Sequence, residues 1–530
     1  MITFDALTLK AFINENRKFF TGARIQKIQQ PTRRDIILQL RNEGVVKKLY
    51  ININPKLYHV CFINKENEGK RHIEIPKNPP MFCMLLRKHL ENSQISKVNQ
   101  PENERIIELY IESYNEINEK IYLCLSIELM GKHSNIILYN SNTNIIIGCA
   151  HNVGAEKSRE REVAGTLPYT YPPKQDKLDI NVYEGSVDYE TLSEKFYMFS
   201  NYFAKLCRGK PISSLRDYVN LINVIPVVSA DYSGYSLFEE LLSEAYMQES
   251  VNSMIDNYYA YYQEREKFNG LKNTLSSHTN QKLKRVLNSL QKIQTQIQQE
   301  TNSDNYRLWG DLLMANLYLS KDYSDEVELF DWENNKNIII KLEPNKTLKE
   351  NANKFYKLYN KSKTSKLKLS ELCVELEQTK LYLEQILYSL NSAEKYEDLL
   401  EIASELKSDI GQKKEKIKAV VPQKIVKDNF VIYIGKNNLQ NDYIISKLAK
   451  EDDLWFHTKD CAGSHVLLKG ENPTNEIILF CAKLAKKHSS GAESSKIGVI
   501  YTKRKYLKKP PKANLGYVTY RNEKEIIIDY

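Results

Sequence analysis

The chain reads as a multidomain α+β protein, on three observations. Its first third alternates short apolar strands with polar turns, two later tracts repeat apolar residues at 3-4 spacing, and its C-terminal part combines short strands with a basic run. At 530 residues it is too long for one core and should divide into about three or four domains. Charged residues make up 27% and apolar residues 42%, the balance of an ordinary soluble protein. The expected division is an α/β or α+β domain over 1–178, a helical domain over 179–263, a coiled-coil hairpin over 264–417 with a small cap at 304–346, and an α+β domain over 418–530.

The first domain opens with helical apolar spacing from Thr3 to Phe20, and Gly22-Ala-Arg-Ile-Gln-Lys-Ile28 then begins a strand. Asp35 to Leu40, Lys48 to Ile53 and His59 to Ile63 follow as strands between polar turns. Pro79 and Pro80 precede a helix ending at Leu90, a position where the missing N–H costs nothing. Arg105 to Ile111, Ile121 to Glu128 and Asn135 to Tyr139 are further strands, and Pro172-Pro173 breaks the pattern. In the second region, Gly209-Lys-Pro-Ile-Ser-Ser214 lies between two helical patterns, where a helix-hairpin-helix turn would sit.

The third region carries the clearest periodicity. Leu283, Val286, Leu290, Ile293 and Ile297 repeat at 3-4 spacing, and Leu369, Leu372, Leu376, Thr379, Leu383, Ile386, Leu390 and Ala393 do so again. Such repeats bury a narrow seam against a partner helix. Two arms in one chain predict an intramolecular antiparallel hairpin, with a parallel homodimeric coil as the alternative. Each arm should reach roughly 50–60 Å at 1.5 Å per residue. The segment between them predicts a helix around Trp309 to Leu319 and strands at Val327–Phe330 and Ile338–Leu342.

The last region contains Asp453-Leu-Trp-Phe-His-Thr-Lys-Asp-Cys-Ala-Gly-Ser-His-Val-Leu-Leu468, read as strand, Gly-Ser turn and strand. Between Cys481 and Lys512 there are ten Lys/Arg and one acid, Glu493, a surplus of +9 equal to the formal net charge of the whole chain. A surface of that density, including Lys503, Arg504, Lys505, Lys508 and Lys509, predicts a nucleic-acid partner. His457, Cys461 and His465 stand four apart, as metal ligands on one helix face would, but Gly463 and the strand pattern keep them from converging, so no metal is expected. Eight cysteines without a CxxC pair point to a reducing compartment, and no apolar run is long enough to span a bilayer. Walker-type loops, Gly-rich dinucleotide turns and Ser/His/Asp arrangements are absent, so neither a cofactor nor side-chain catalysis is expected.

The turn-and-strand stretch resembles the NFACT-R module of the RqcH/NEMF family of ribosome-quality-control proteins, together with Gly435-Lys-Asn-Asn-Leu-Gln-Asn-Asp442 and Lys508-Lys-Pro-Pro-Lys-Ala-Asn-Leu-Gly-Tyr-Val518. The first domain resembles the NFACT-N module of that family through Gly22–Pro31, Met81–Leu90, Glu128-Leu-Met-Gly-Lys-His-Ser-Asn-Ile-Ile-Leu138 and Tyr169–Pro173. Leu308–Asn316 and Glu350–Tyr359 match its middle part, so the resemblance runs along the whole chain in order. It implies a cytoplasmic, ribosome-associated protein that binds stalled large (50S) ribosomal subunits still carrying peptidyl-tRNA. It also implies recruitment of alanyl-tRNA and C-terminal alanine tailing of the stuck chain as a tag for degradation, with peptide bonds made by ribosomal RNA. A small RNA-binding protein of the RqcP kind is a further implied partner.

Residue by residue, the family's Asp-Arg pair for tRNA engagement falls on Glu104-Arg105, where Glu104 carries the carboxylate one methylene farther out. A guanidinium such as Arg105 can pair bidentately with phosphate or a guanine edge. Glu128, Leu129, Met130, Lys132 and His133 form the second expected tRNA surface, displayed by a turn at Gly131. Trp455, His457, Ser464 and His465 match the family's RNA-binding motif.

Two other functional classes compete with this one. The NFACT-N fold is similar to the N-terminal domain of formamidopyrimidine-DNA glycosylases, but their chemistry requires an N-terminal Pro-Glu pair, and this chain begins Met1-Ile2-Thr3 and has no four-Cys zinc finger. Family members have also been called fibronectin-binding proteins, so a surface-exposed adhesin with fibronectin as its partner is the alternative function.

Overall fold

In a computed structural model of the protein, residues 3–101, 103–115, 117–156, 160–299, 303–319, 324–408, 421–511 and 513–529 are described. The expected boundary at 417/418, residues 320–323 of the cap and Lys512 of the basic run lie outside them. The chain forms two compact units, Met1–Lys267 and Phe268–Tyr530.

The first unit is built on nine antiparallel strands: β1 (Arg24–Thr32), β2 (Asp35–Asn42), β3 (Val45–Asn52), β4 (His59–Phe62), β5 (Gln94–Asn99), β6 (Ile106–Tyr114), β7 (Lys120–Glu128), β8 (Asn135–Asn140) and β9 (Ile146–Cys149). Their order in the sheet is β4-β3-β2-β1-β5-β6-β7-β8-β9, so the two halves of the sheet meet where β1 pairs with β5. Helix Ala6–Phe20 starts at Asp5, whose carboxylate accepts from the Thr8 N–H at 2.8 Å, and it buries Leu7, Leu9, Phe12 and Phe20. Helix Met81–Leu90 follows Pro80 and buries Cys83, Leu86 and Leu90. On β7, Leu123, Leu125 and Ile127 join the main core, while Cys124 on the opposite face joins a second cluster with Tyr139, Val163 and Tyr169. Both faces are therefore covered, which explains the nearly unbroken apolar reading of this strand.

A third long helix, Val251–Gln299, begins in this unit. The Glu15 carboxylate accepts from the backbone N–H groups of Val251 and Asn252 at 2.6 and 3.1 Å, placing negative charge at the positive helix start. Asp256, one turn on, forms a fully buried ion pair with Arg71 at 2.5 Å. The 179–263 region is helical only in part. Helices Asn201–Leu206 and Ile212–Val219 flank Gly209, but Val227–Ser229, Tyr235–Ser236 and Ala245–Met247 form a small sheet. The β-branched Val227-Val228 pair and the Ser233-Gly234 turn outweigh the helical spacing there.

In the second unit, the continuation of that helix runs beside helix Leu348–Ser392. Phe268, Leu271 and Leu275 pack with Tyr382, Ile386 and Leu390, and Lys272 Nζ donates to the Asn391 carbonyl at 3.0 Å. At the far end, helix Ser303–Ala315 and hairpin Glu326–Asp331/Lys336–Lys341 enclose Leu313, Leu329, Ile340, Leu348 and Phe355. The cap thus joins the two arms within one chain as an antiparallel hairpin. Its seam is tight at Leu290, Ile293, Leu383, Ile386 and Leu390, whereas Leu372 is 42% exposed. Two helices alone cannot enclose every a/d position, and helix Tyr396–Ser408 completes the burial at the base.

The chain ends in a six-stranded antiparallel sheet in the spatial order Gln423–Lys427, Phe430–Ile434, Val466–Lys469, Leu454–Thr458, Lys496–Lys503, Lys524–Asp529. Helix Asn475–Lys487 covers one face through Ile477, Cys481 and Ala485, against Phe456 and Val499. The other face packs Trp455, Leu467 and Ile500 against Ile444 and Ile445.

The seam makes a contrast that can be measured. Leu383→Asp places a charge at a site 3% exposed and should cost about 3 kcal/mol or more, whereas Leu372→Asp should stay within about 0.5 kcal/mol. Urea unfolding of the two variants should show these unequal losses. Equal losses would mean that the seam runs unbroken along both arms.

Candidate nucleic-acid interface

The turn between β7 and β8 displays part of the expected tRNA surface. Gly131 takes φ 63°, a left-handed conformation that only glycine adopts without strain, and the Met130 N–H donates to Ser134 Oγ at 2.9 Å. Lys132 and His133 are exposed, while Leu129 has no exposed surface. Leu129 therefore anchors the turn and does not reach a ligand.

Arg105, at the entry to β6, donates from Nη1 to Tyr58 Oη at 3.0 Å. Together with Glu128, Met130, Lys132 and His133 it lines one cleft of about 1350 Å³. Arg33, Met81, His151 and Arg161 line the same cleft and were missed from sequence. Met81 is 87% exposed at the start of its helix, and the Arg33-Arg34 turn was the signal available for the first cation. Burial, then the charges of Arg34 and Arg33, push the His151 pKa down. Glu104 faces a separate, smaller recess, shared with Asp5, Arg105 and Lys177. Burial raises its pKa, opposed by Arg105, Lys177 and Lys174.

Glu128 has a different surrounding from the one expected of a displayed ligand contact. It is 2% exposed and accepts from Arg161 Nη2 at 2.7 Å on one oxygen and Arg161 Nη1 at 3.0 Å on the other. Tyr169 Oη donates to it at 3.1 Å, and the Arg161 guanidinium lies 5.2 Å from the Tyr169 ring centre. Two residues along the cross-strand neighbour, Glu108 is also fully buried and accepts from Asn99, Tyr110, Tyr139 and Tyr171 at 2.9, 3.1, 3.4 and 2.5 Å. Tyr139 and Tyr169 stack at 4.3 Å, joining the two carboxylate nests. Glu128 thus straps the segment carrying Arg161 and Tyr169 across the sheet and forms the cleft wall.

In the second unit the basic run is less free than its composition promised. Lys503 and Lys505 both reach Asp452 Oδ1 at 3.0 Å, and Lys509 pairs with Asp442. Arg504 turns inward, donating to the carbonyls of Ile445 and Leu507 at 2.9 and 3.2 Å. Lys508 is exposed. The acids come from segments that meet the run only in space, so a count along the run missed them. Exposed pairs of this kind contribute about 0–1 kcal/mol, little enough for a phosphate to displace.

Trp455, Ser464 and His465 are 2%, 3% and 4% exposed, so none stands on the outer surface. His457 is half-buried. The amide-rich segment before them is buried as well. Asn437 and Gln440 donate to Glu401, and Asn438 donates to Glu405, at 2.7, 2.9 and 2.9 Å, while Asn441 Oδ1 accepts the His465 N–H at 3.0 Å. These amides fasten the terminal sheet to helix Tyr396–Ser408. Among the described residues, no His, Cys, Asp and Glu cluster could hold a metal, and no helix is long and apolar enough to cross a membrane.

The wall generates a prediction. Glu128→Ala leaves the Arg161 guanidinium without its carboxylate and should cost the first unit about 3–5 kcal/mol, whereas Lys132→Ala should change stability by less than about 0.5 kcal/mol. Denaturant unfolding checks both, and a near-neutral Glu128→Ala would refute the strap.

Residues 5–209 and 210–420 match the NFACT N-terminal and middle domains, and residues 422–522 match the NFACT protein RNA binding domain. The chain is 30% identical over 571 residues to the Rqc2 homolog RqcH of Bacillus subtilis, covering 99% of this chain and 98% of that protein. It is 28% identical over 550 residues to the Rqc2 homolog RqcH of Streptococcus pneumoniae serotype 2, covering 99% and 97%. The solved N-terminal part of the fibronectin/fibrinogen-binding protein from Streptococcus suis is similar at 25% identity and a TM-score of 0.43, covering 48% of this chain and 99% of that one. With both terminal modules and the middle region matched in order, the chain belongs to the NFACT family of ribosome-quality-control proteins, and the RqcH proteins are its full-length relatives.

Proposed function

We propose that this protein binds large ribosomal subunits that still hold peptidyl-tRNA, recruits alanyl-tRNA through its N-terminal cleft and directs C-terminal alanine tailing of the stalled chain. The observation that carries the reading is the convergence of Arg105, Lys132 and His133, with Arg33, on one cleft. Two exposed cations suit phosphates, and a guanidinium held by Tyr58 keeps the fixed orientation that bidentate recognition requires. The cleft's buried carboxylate, Glu128, is committed to Arg161 and Tyr169, which leaves it without a catalytic task. In this reading, as in the family resemblance, bond formation belongs to ribosomal RNA, and the protein's work is positioning. Lys503, Lys505, Lys508 and Lys509 supply the electrostatic contact of the RNA-binding domain. A protein with this role resides in the cytoplasm on ribosomes. The adhesin alternative places it in the cell envelope, and subcellular fractionation separates the two.

Arg105→Ala should lower alanine-tRNA recovery about ten- to a hundredfold and abolish tailing while subunit binding persists. Glu104→Asp should be tolerated. The measurement is tRNA copurification together with the mass of the nascent-chain tail. Full tRNA recovery and normal tails in Arg105→Ala would move the tRNA site elsewhere.

For the C-terminal domain, replacing Lys503, Lys505 and Lys508 together by Ala should flatten the salt dependence of RNA binding by roughly two to three units, one for each phosphate no longer neutralised. An unchanged slope would mean that this face is only solvated.

A further inference from the structure

Between the terminal domain and helix Leu348–Ser392 lies a cavity of about 650 Å³ that the basic face does not include. Its floor is aromatic. Trp455 and His457, two apart on one strand, lie parallel within 2° at 5.7 Å, and His465 stands across them at 89° and 90°. Tyr517 and Tyr520 line the same space.

Three residues of this lining, Trp455, Thr458 and His465, each carry a buried polar atom without a hydrogen-bond partner: Nε1, Oγ1 and Nδ1. Buried polar groups are ordinarily satisfied, and three on one cavity mark a place that a ligand completes. Their chemistry restricts that ligand. An indole N–H only donates, so it requires an acceptor, whereas a hydroxyl and a neutral imidazole can serve either way. Burial lowers the pKa of both histidines, that of His465 furthest, which favours the neutral rings.

The rim adds a second restriction. Glu375, Glu384 and Asp460 line the cavity with Lys459; Glu384 is paired with Lys380 at 3.8 Å and Lys459 with Glu525 at 3.0 Å, which leaves Glu375 and Asp460 to set the sign. A rim of that sign repels phosphate and favours amino groups. A cationic side chain would suit the rim but offers no acceptor to Trp455 Nε1. What suits both floor and rim is a flat heterocycle with ring acceptors and exocyclic amines.

We propose that this cavity takes one unpaired nucleobase of the RNA partner, turned out of its strand, with its phosphates left outside. The proposal rests on the RNA-binding reading of the domain and deepens it. Unpaired bases are recognised in this way, by stacking and by hydrogen bonds to their edges, whereas duplex RNA is read by shape.

The test uses the full chain and labelled RNA of about ten nucleotides, single-stranded oligo-C and oligo-A beside a duplex of equal length. Trp455→Phe keeps a ring and removes the N–H, and Thr458→Val removes the hydroxyl at equal size. Each should weaken single-strand binding about five- to thirtyfold and leave duplex binding unchanged. If Trp455→Phe fails to fold, as thermal melting would reveal, Thr458→Val carries the test alone. Single-strand binding that neither variant alters overturns the base pocket and leaves the RNA reading standing. Equal loss for single strand and duplex also overturns it, as does a lysine-rich peptide whose binding alone responds to the variants. Failure of the parent protein to bind either RNA refutes the RNA reading, and the pocket with it.

Discussion

Two carboxylates shut away from water, Glu108 and Glu128, set the form of the N-terminal cleft. A buried carboxylate costs several kcal/mol unless it is paired and fully hydrogen-bonded, so strands β6 and β7 cannot carry these residues on a bare face. Tyr171, Tyr139, Tyr110 and Asn99 satisfy one, and Arg161 with Tyr169 satisfies the other. Both solutions draw the 161–171 segment over the sheet. Once it is there, the second face of β7 is buried, the cleft acquires a wall, and the Gly131 turn presents Lys132 and His133 beside Arg105.

What could be read from sequence followed the range of the interaction. The hairpin arms were legible because a 3-4 repeat is local, and the strands of the first domain because alternation is local. Gln94–Asn99 escaped because its polarity is mixed, and Ile146–Cys149 because it is only four residues long. The role of Glu128 also escaped, since its partner lies 33 residues away and nothing in the Glu-Leu-Met-Gly run announces Arg161. The same holds for the basic run, where Asp452 meets Lys503 and Lys505 only through the pairing of neighbouring strands. Amides mislead differently. Asn437, Asn438, Gln440 and Asn441 look like surface residues, but each has a specific partner and all are buried. Whether a motif residue is displayed or buried came only from the packing.

The two candidate surfaces divide the labour by chemistry. The N-terminal cleft offers fixed cations in a partly apolar recess, suited to holding one RNA in a definite pose. The terminal domain offers lysines held in weak surface pairs that phosphates can displace, suited to affinity without sequence. On the proposed reading, the protein positions RNA substrates and chemistry falls to the particle it binds.

The most direct test of that account is to purify the full chain from growing cells under native conditions and sequence the RNA that accompanies it. The account predicts large-subunit ribosomal RNA together with tRNA enriched in the alanine acceptor. RNA matching the general cellular pool, with no such enrichment, would contradict it.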